Sequence, residues 1–77
     1  MPKLRRIRTA LLIKLCEKHG YRRARQRGSH VSLTKPGVPR PIVIPIRHQE
    51  ALPYLIAQVI AHLGITIDDY HKEIIRL

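Results

Sequence analysis

The hydrophobic spacing of this chain changes once, and sharply, at Gly20. Before it, in "TALLIKLCEKHG", Leu11, Leu12, Leu15 and Cys16 recur at helical intervals. Ile13 widens that stripe, while Ala10, Lys14, Glu17 and Lys18 fall on the other side. After it, "HVSLT" alternates, with Val31 and Leu33 facing one way and His30, Ser32 and Thr34 the other. A period near 3.6 followed by a period of two commits the chain to a mixed α+β fold. The helix is expected over Thr9 to His19, with Thr9 as its N-cap and Gly20 as its stop.

Glycine and proline punctuate the rest. "YRRARQR", Tyr21 to Arg27, lies between Gly20 and the pair Gly28-Ser29, and reads as a strand paired with the one that follows. "KPGVPR" reads as a loop, and "IVI", Ile42 to Ile44, as a short buried strand fenced by Pro41 and Pro45. A loop runs through His48. Pro53 then suits the first turn of a helix, "PYLIAQVIAHLG", that Gly64 ends. Thr66 and Asp69 have the spacing of a capping box, opening a short helix in "IDDYHKEIIRL". The expected order is α-β-β-β-α with a short C-terminal helix, in one domain over 1–77. Three antiparallel strands would carry the helices on one face and leave the other face to solvent.

With 44% apolar residues, three Tyr and no Trp or Phe, the core must be aliphatic. Tyr21, Tyr54 and Tyr70 occupy otherwise apolar positions and are read as packing residues. The lone Cys16 leaves no internal disulfide and no cysteine-based metal site, and its leucine neighbours make it a buried thiol. His19, His48, His62 and His71 show no ligand spacing, so neither a metal nor another cofactor is expected. His19 and His62, each near a helix end, suit the C-terminal dipole. The start, "MPKLRRIRTALLIKLC", has the basic-then-apolar order of a leader, but Lys14 interrupts the apolar run and no small-residue cleavage site follows. No stretch reaches the 18 or more apolar residues of a membrane span. A soluble cytoplasmic protein with no membrane partner is the expectation.

Net charge is +10 and unevenly spread. Residues 1–40 hold twelve Lys or Arg against Glu17 alone, whereas 41–77 hold Arg47, Lys72 and Arg76 against Glu50, Asp68, Asp69 and Glu73. Such polarisation makes a basic face, for which a nucleic acid is the expected partner. If Val31 and Leu33 enter the core, His30 leaves it and stands beside the arginine strand, placed to meet a bound phosphate. Imidazole suits proton transfer near neutral pH. RNA brings its own nucleophile, the 2′-hydroxyl, so its cleavage needs a proton-moving group and cations but not necessarily a metal. No Asp/Glu cluster accompanies His30, which argues against a two-metal nuclease.

"LCEKHGY", "RQRGSHVSL", "PIVIPI" and a closing helix that ends in "LGIT" together resemble the HicA-type mRNA interferase toxins, over roughly Arg8 to Tyr70. The most specific piece is Gly20-Tyr21 followed by Arg25, Gly28, Ser29 and His30. The resemblance implies a fold similar to double-stranded-RNA-binding domains, metal-free cleavage of mRNA, and a HicB-type antitoxin that covers the active surface. It makes His30 the catalytic histidine and has Gly28 and Ser29 shape its turn. Arg25 and Arg27 then lie near the substrate backbone, and Arg23 and Lys35 complete the expected substrate contacts. Two positions depart from the family pattern. Tyr54-Leu55-Ile56 stands where the second helix commonly opens with Gly-Thr-Leu. Arg47 stands where the family often has His, leaving His48 one place later as a solvated loop residue. Two other functions stand beside it: an RNA-binding module that uses the same arginines but does not cut, and a helix-turn-helix in "AQVIAHLGITIDDYHKEII", away from the basic half of the chain. The second places Asp68 and Asp69 where a DNA reader would meet phosphates.

Overall fold

The computed structural model describes residues 3–77; Met1 and Pro2 of the expected 1–77 domain lie outside them. Its elements are α1 (Thr9–Lys18), β1 (Arg22–Arg27), β2 (His30–Lys35), β3 (Val38–Pro45), α2 (Pro53–Leu63) and α3 (Ile67–Ile74). The strands form one antiparallel sheet in the order β1-β2-β3. The α+β order is therefore the expected one.

The apolar stripe of α1 buries Leu12, Ile13, Leu15 and Cys16, and that of α2 buries Leu55, Ile56, Val59 and Ile60. Both pack in one core with Val31, Leu33, Ile42 and Ile44, the inward residues of β2 and β3. The outward face of the sheet is left open. Val43, expected in a buried strand, is 46% exposed there because β3 alternates like β2. The segment Val38 to Pro41, expected as loop, is strand. Its prolines are tolerated because β3 is an edge strand, and between Leu33 and Lys35 the ladder bulges so that Thr34 faces Pro39, Arg40 and Pro41.

The start of α1 also differs from expectation. Arg8, not Thr9, is the N-cap, and it makes no side-chain cap. Thr9 is buried one position inside, where its hydroxyl donates to the His48 carbonyl at 2.7 Å and its N–H to the Gln49 carbonyl at 2.8 Å. The loop before α2 thus satisfies one of the N–H groups that the start of α1 leaves without a partner inside the helix, together with the buried Thr9 hydroxyl. At the other end, Gly20 N–H donates to Glu17 O and Tyr21 N–H to Cys16 O, a Schellman closure that needs the left-handed Gly20, φ 91°. The capping box of α3 forms as expected, with Thr66 and Asp69 each holding the other's backbone N–H.

Fully buried Tyr70 fixes α3 to the core, and its hydroxyl donates to the Arg5 carbonyl. The Arg5 N–H donates to His71 Nε2 at 3.1 Å, and Glu73 accepts from His19 at 2.7 Å. His62 donates to the Arg40 carbonyl at 3.1 Å. His19 and His62 therefore bridge to other elements as well as ending their own helices. Tyr21 is buried as expected, but Tyr54 is 59% exposed. Among the described residues no helix is long and apolar enough to cross a membrane.

Burial pushes the Cys16 thiol from 9.0 up to about 12. It likewise pushes the Tyr70 phenol from 10.0 up to about 12, with the Arg5 charge pulling weakly the other way. Both groups ionise first in the unfolded chain, so unfolding releases protons above pH 9. Their stabilisation is whole below that pH and is lost as pH rises toward 12. Urea-unfolding midpoints should therefore fall between pH 9 and 11. Tyr70→Phe should be less stable at pH 7 by about 1 kcal/mol, for the lost hydrogen bond, yet decline less steeply with alkali.

Candidate nucleic-acid interface and active site

Gly28 and Ser29 join β1 to β2 in a two-residue hairpin. Gly28 has φ 53° and, among the described residues, none other than glycine has positive φ, which fits a type II′ turn with glycine at its first central position. Gln26 Nε2 donates to the Gly28 carbonyl at 3.2 Å and braces the loop. So short a turn fixes register: Arg27 lies opposite His30, Gln26 opposite Val31 and Arg25 opposite Ser32. Paired residues share a face, and Val31 is buried. Arg25, Arg27 and His30 consequently stand together on the open face.

Strict alternation would add Arg23 to this group. A bulge at Ala24 prevents it: Arg23 pairs with buried Leu33, while Arg22 pairs with Thr34 on the open face. Arg23 instead lines a cavity of about 350 Å³ on the helix side, with Arg8, Ile13 and Val31. Lys35 is separated from His30 as well, by the length of β2, roughly 17 Å at about 3.3 Å per residue. Its ammonium lies 5.8 Å from the Tyr21 ring centre and its stem covers Gly20. Of the expected substrate contacts, Arg25, Arg27, Gly28 and Ser29 cluster around His30, and Arg23 and Lys35 do not. Arg22 takes the open-face position that Arg23 would have held, beside Thr34 at the far end of β2 from His30. A bulge leaves no mark on hydrophobic alternation in a strand as polar as "RRARQR".

His30 also faces a cavity of about 240 Å³ at the β2–β3 end of the sheet, which Ser29, Arg47, His48, Glu50 and Tyr54 line with it. The Ser29 carbonyl accepts from Ile46 N–H at 2.6 Å, tying the His30 turn to the chain that leads into Arg47 and His48. Sequence reasoning placed His48 in open loop and Tyr54 in the core. Their convergence on His30 depends on where α2 starts, which no short-range pattern encodes.

The face is positive without internal compensation. No Asp or Glu occurs between Glu17 and Glu50. Glu50 itself is paired with Arg6 at 2.9 Å, Glu73 with His19, and Asp69 caps α3. Among the described residues no group of three or more His, Cys, Asp or Glu is arranged to hold a metal ion. The second helix of the helix-turn-helix reading, α3, is held by buried Tyr70 and opens with Asp68 and Asp69. The sheet face is the better seat for a polyanion.

Comparison with known proteins finds a family model, described as the HicA toxin of bacterial toxin-antitoxin systems, that matches residues 11–65. No curated protein matches the chain.

The register separates the arginines in a measurable way. Arg22→Ala and Arg25→Ala should each weaken binding of single-stranded RNA and lower the dependence of log affinity on log salt by about 0.7, the share of one phosphate contact. Arg23→Ala should leave that slope near the parent value. Titrations at several salt concentrations read this directly.

Proposed function

Because this chain belongs to the HicA toxin family, with a family match over 11–65, we propose that it is the toxin of a type II toxin–antitoxin pair and acts as a metal-independent endoribonuclease on mRNA. Family membership itself implies a toxin with an antitoxin partner and an RNA substrate. What supports the finer reading is one observation: the hairpin register sets His30 on the open sheet face between Arg27 and Pro45, with Arg25 one pair further along.

The chemistry follows from the substrate. The 2′-hydroxyl of a nucleotide attacks the adjacent phosphorus, the P–O5′ bond breaks, and the products are a 2′,3′-cyclic phosphate and a 5′-hydroxyl. His30 is the catalytic residue that moves a proton in this step. Arg25 and Arg27 hold the phosphodiester and stabilise the charge that grows on its non-bridging oxygens. Gly28 and Ser29 present the imidazole by keeping the turn tight. No co-reactant is needed, since the nucleophile is already in the substrate.

The partner is a HicB-type antitoxin. To silence the toxin it covers the open face and presents carboxylates to Arg22, Arg25 and Arg27, in place of the RNA phosphates.

Cleavage of a defined mRNA by purified protein, with a chelator present, tests the enzyme reading. The parent should cut, and His30→Ala should bind the same RNA with similar affinity while losing at least about 100-fold in rate, the share of a general acid or base. Equal binding with no cutting by either protein would make this an RNA-binding module that does not cleave. Binding of duplex DNA without RNA would restore the helix-turn-helix.

A further inference from the structure

The chain has five histidines, and three have side-chain partners: His19 with Glu73, His62 with the Arg40 carbonyl, and His71 with the Arg5 N–H. Among the described residues the imidazoles of the other two, His30 and His48, have no hydrogen bond or ion pair. Those two line the same cavity. The cavity's volume, about 240 Å³, is several times the ~30 Å³ share of a water molecule. A phosphate group therefore has room in the cavity that both residues line.

The loop that carries His48 is not loose. Its backbone carbonyl accepts from the buried Thr9 hydroxyl, the next carbonyl accepts from Thr9 N–H, and Ala51 N–H donates to the Ile7 carbonyl at 2.9 Å. Upstream, Ile46 N–H is held by Ser29, the neighbour of His30. Both imidazoles are thus anchored through their backbones while their rings are left unengaged.

Transphosphorylation of RNA requires two proton transfers, one from the attacking 2′-hydroxyl and one to the departing 5′-oxygen. We propose that His48 is a second catalytic residue, sharing these transfers with His30 across the cavity. This rests on the ribonuclease reading above. One neutral imidazole takes the 2′ proton as the O2′–P bond forms. The other, as imidazolium, gives its proton to O5′ as the P–O5′ bond breaks. Arg47 lines the cavity beside His48 and Arg27 pairs with His30 across the hairpin, so a phosphate bound there would meet a guanidinium from each side. Tyr54, exposed on the first turn of α2, offers its ring to a base beside the scissile bond. The charged and titratable groups around His48 are Arg47, Glu50, Tyr54 and His30 in this cavity, with Arg8 and Arg23 on its other side. Glu50 is held by Arg6.

The test uses the intact protein and a short RNA whose cleavage site has first been mapped with the parent. A second version of that RNA carries sulfur in place of the bridging 5′-oxygen at the site, so its leaving group departs without a proton. On ordinary RNA, His48→Ala and His48→Gln should each lose about 100-fold or more in kcat with KM little changed. The bell-shaped pH profile of the parent should lose one limb. On the sulfur-bridged RNA one of the two histidine variants, His30→Ala or His48→Ala, should recover to near the parent rate, and the other should not. Parent-like cutting of ordinary RNA by both His48 variants overturns the proposal, and so does a rise in KM alone or recovery of neither variant. Failure of the parent to cut any RNA removes the ribonuclease reading and this proposal with it, a result distinct from the others. Thermal unfolding of the His48 variants should match the parent, since Thr9 grips the backbone of that residue and not its ring.

Discussion

One-sided burial of the sheet is the constraint from which the rest of the structure follows. Val31, Leu33, Ile42 and Ile44 are between 0% and 5% exposed beneath α1 and α2. Each such side chain contributes on the order of 1.5–3 kcal/mol by leaving water. A side-chain period of two then gives the neighbours no choice: His30, Ser32 and Thr34 must stand on the solvent side. A slip of one residue would carry His30 into the core and Val31 into water. The position of the candidate catalytic group is thereby enforced by the burial of residues that take no part in chemistry.

The hairpin and the bulge divide a second task. The Gly28-Ser29 turn fixes which β1 residues share the His30 face, and the Ala24 bulge decides which further arginine joins them. A regular strand would put Arg23, Arg25 and Arg27 in a row. The bulge turns Arg23 to the helix side and brings Arg22 out, while adding local twist. A curved basic face follows a flexible polyanion more closely than a flat one, and the absence of acids between Glu17 and Glu50 leaves its field unopposed. Since surface guanidiniums repel one another, this arrangement costs stability when the face is bare. An anionic ligand or partner relieves it.

Much of the fold was legible because it rests on short-range signals. The change of period at Gly20, the turn residues at Gly28-Ser29 and Gly64, and the Thr66-Asp69 box each lie within a few residues of what they determine. The misses have a common physical cause. Thr9 has the chemistry of an N-cap, yet it sits inside α1 because carbonyls at His48 and Gln49, about forty positions away, take its donors. Pro39 and Pro41 argue against a strand until β3 is known to be an edge. Val43 and Tyr54 have large apolar surfaces but lie on faces that no described residue covers. Each depends on tertiary neighbours, which a local pattern does not contain.

The same distinction separates the two halves of the candidate site. His30, Arg25, Arg27 and the turn between them are contiguous, so their grouping could be read from the chain. Arg47, His48 and Tyr54 reach His30 only because Thr9 clamps the loop before α2 onto the start of α1, and Ser29 holds the chain at Ile46. A buried threonine in the wall of the same cavity therefore helps to set its width. Its hydroxyl is gripped from inside the core, at 5% exposure, where losing one hydrogen-bond partner leaves the other unsatisfied at a cost of about 1–3 kcal/mol. Precision at the open end of the sheet is in this way supplied by the closed end of the core, and the chemistry on one face is coupled to packing on the other.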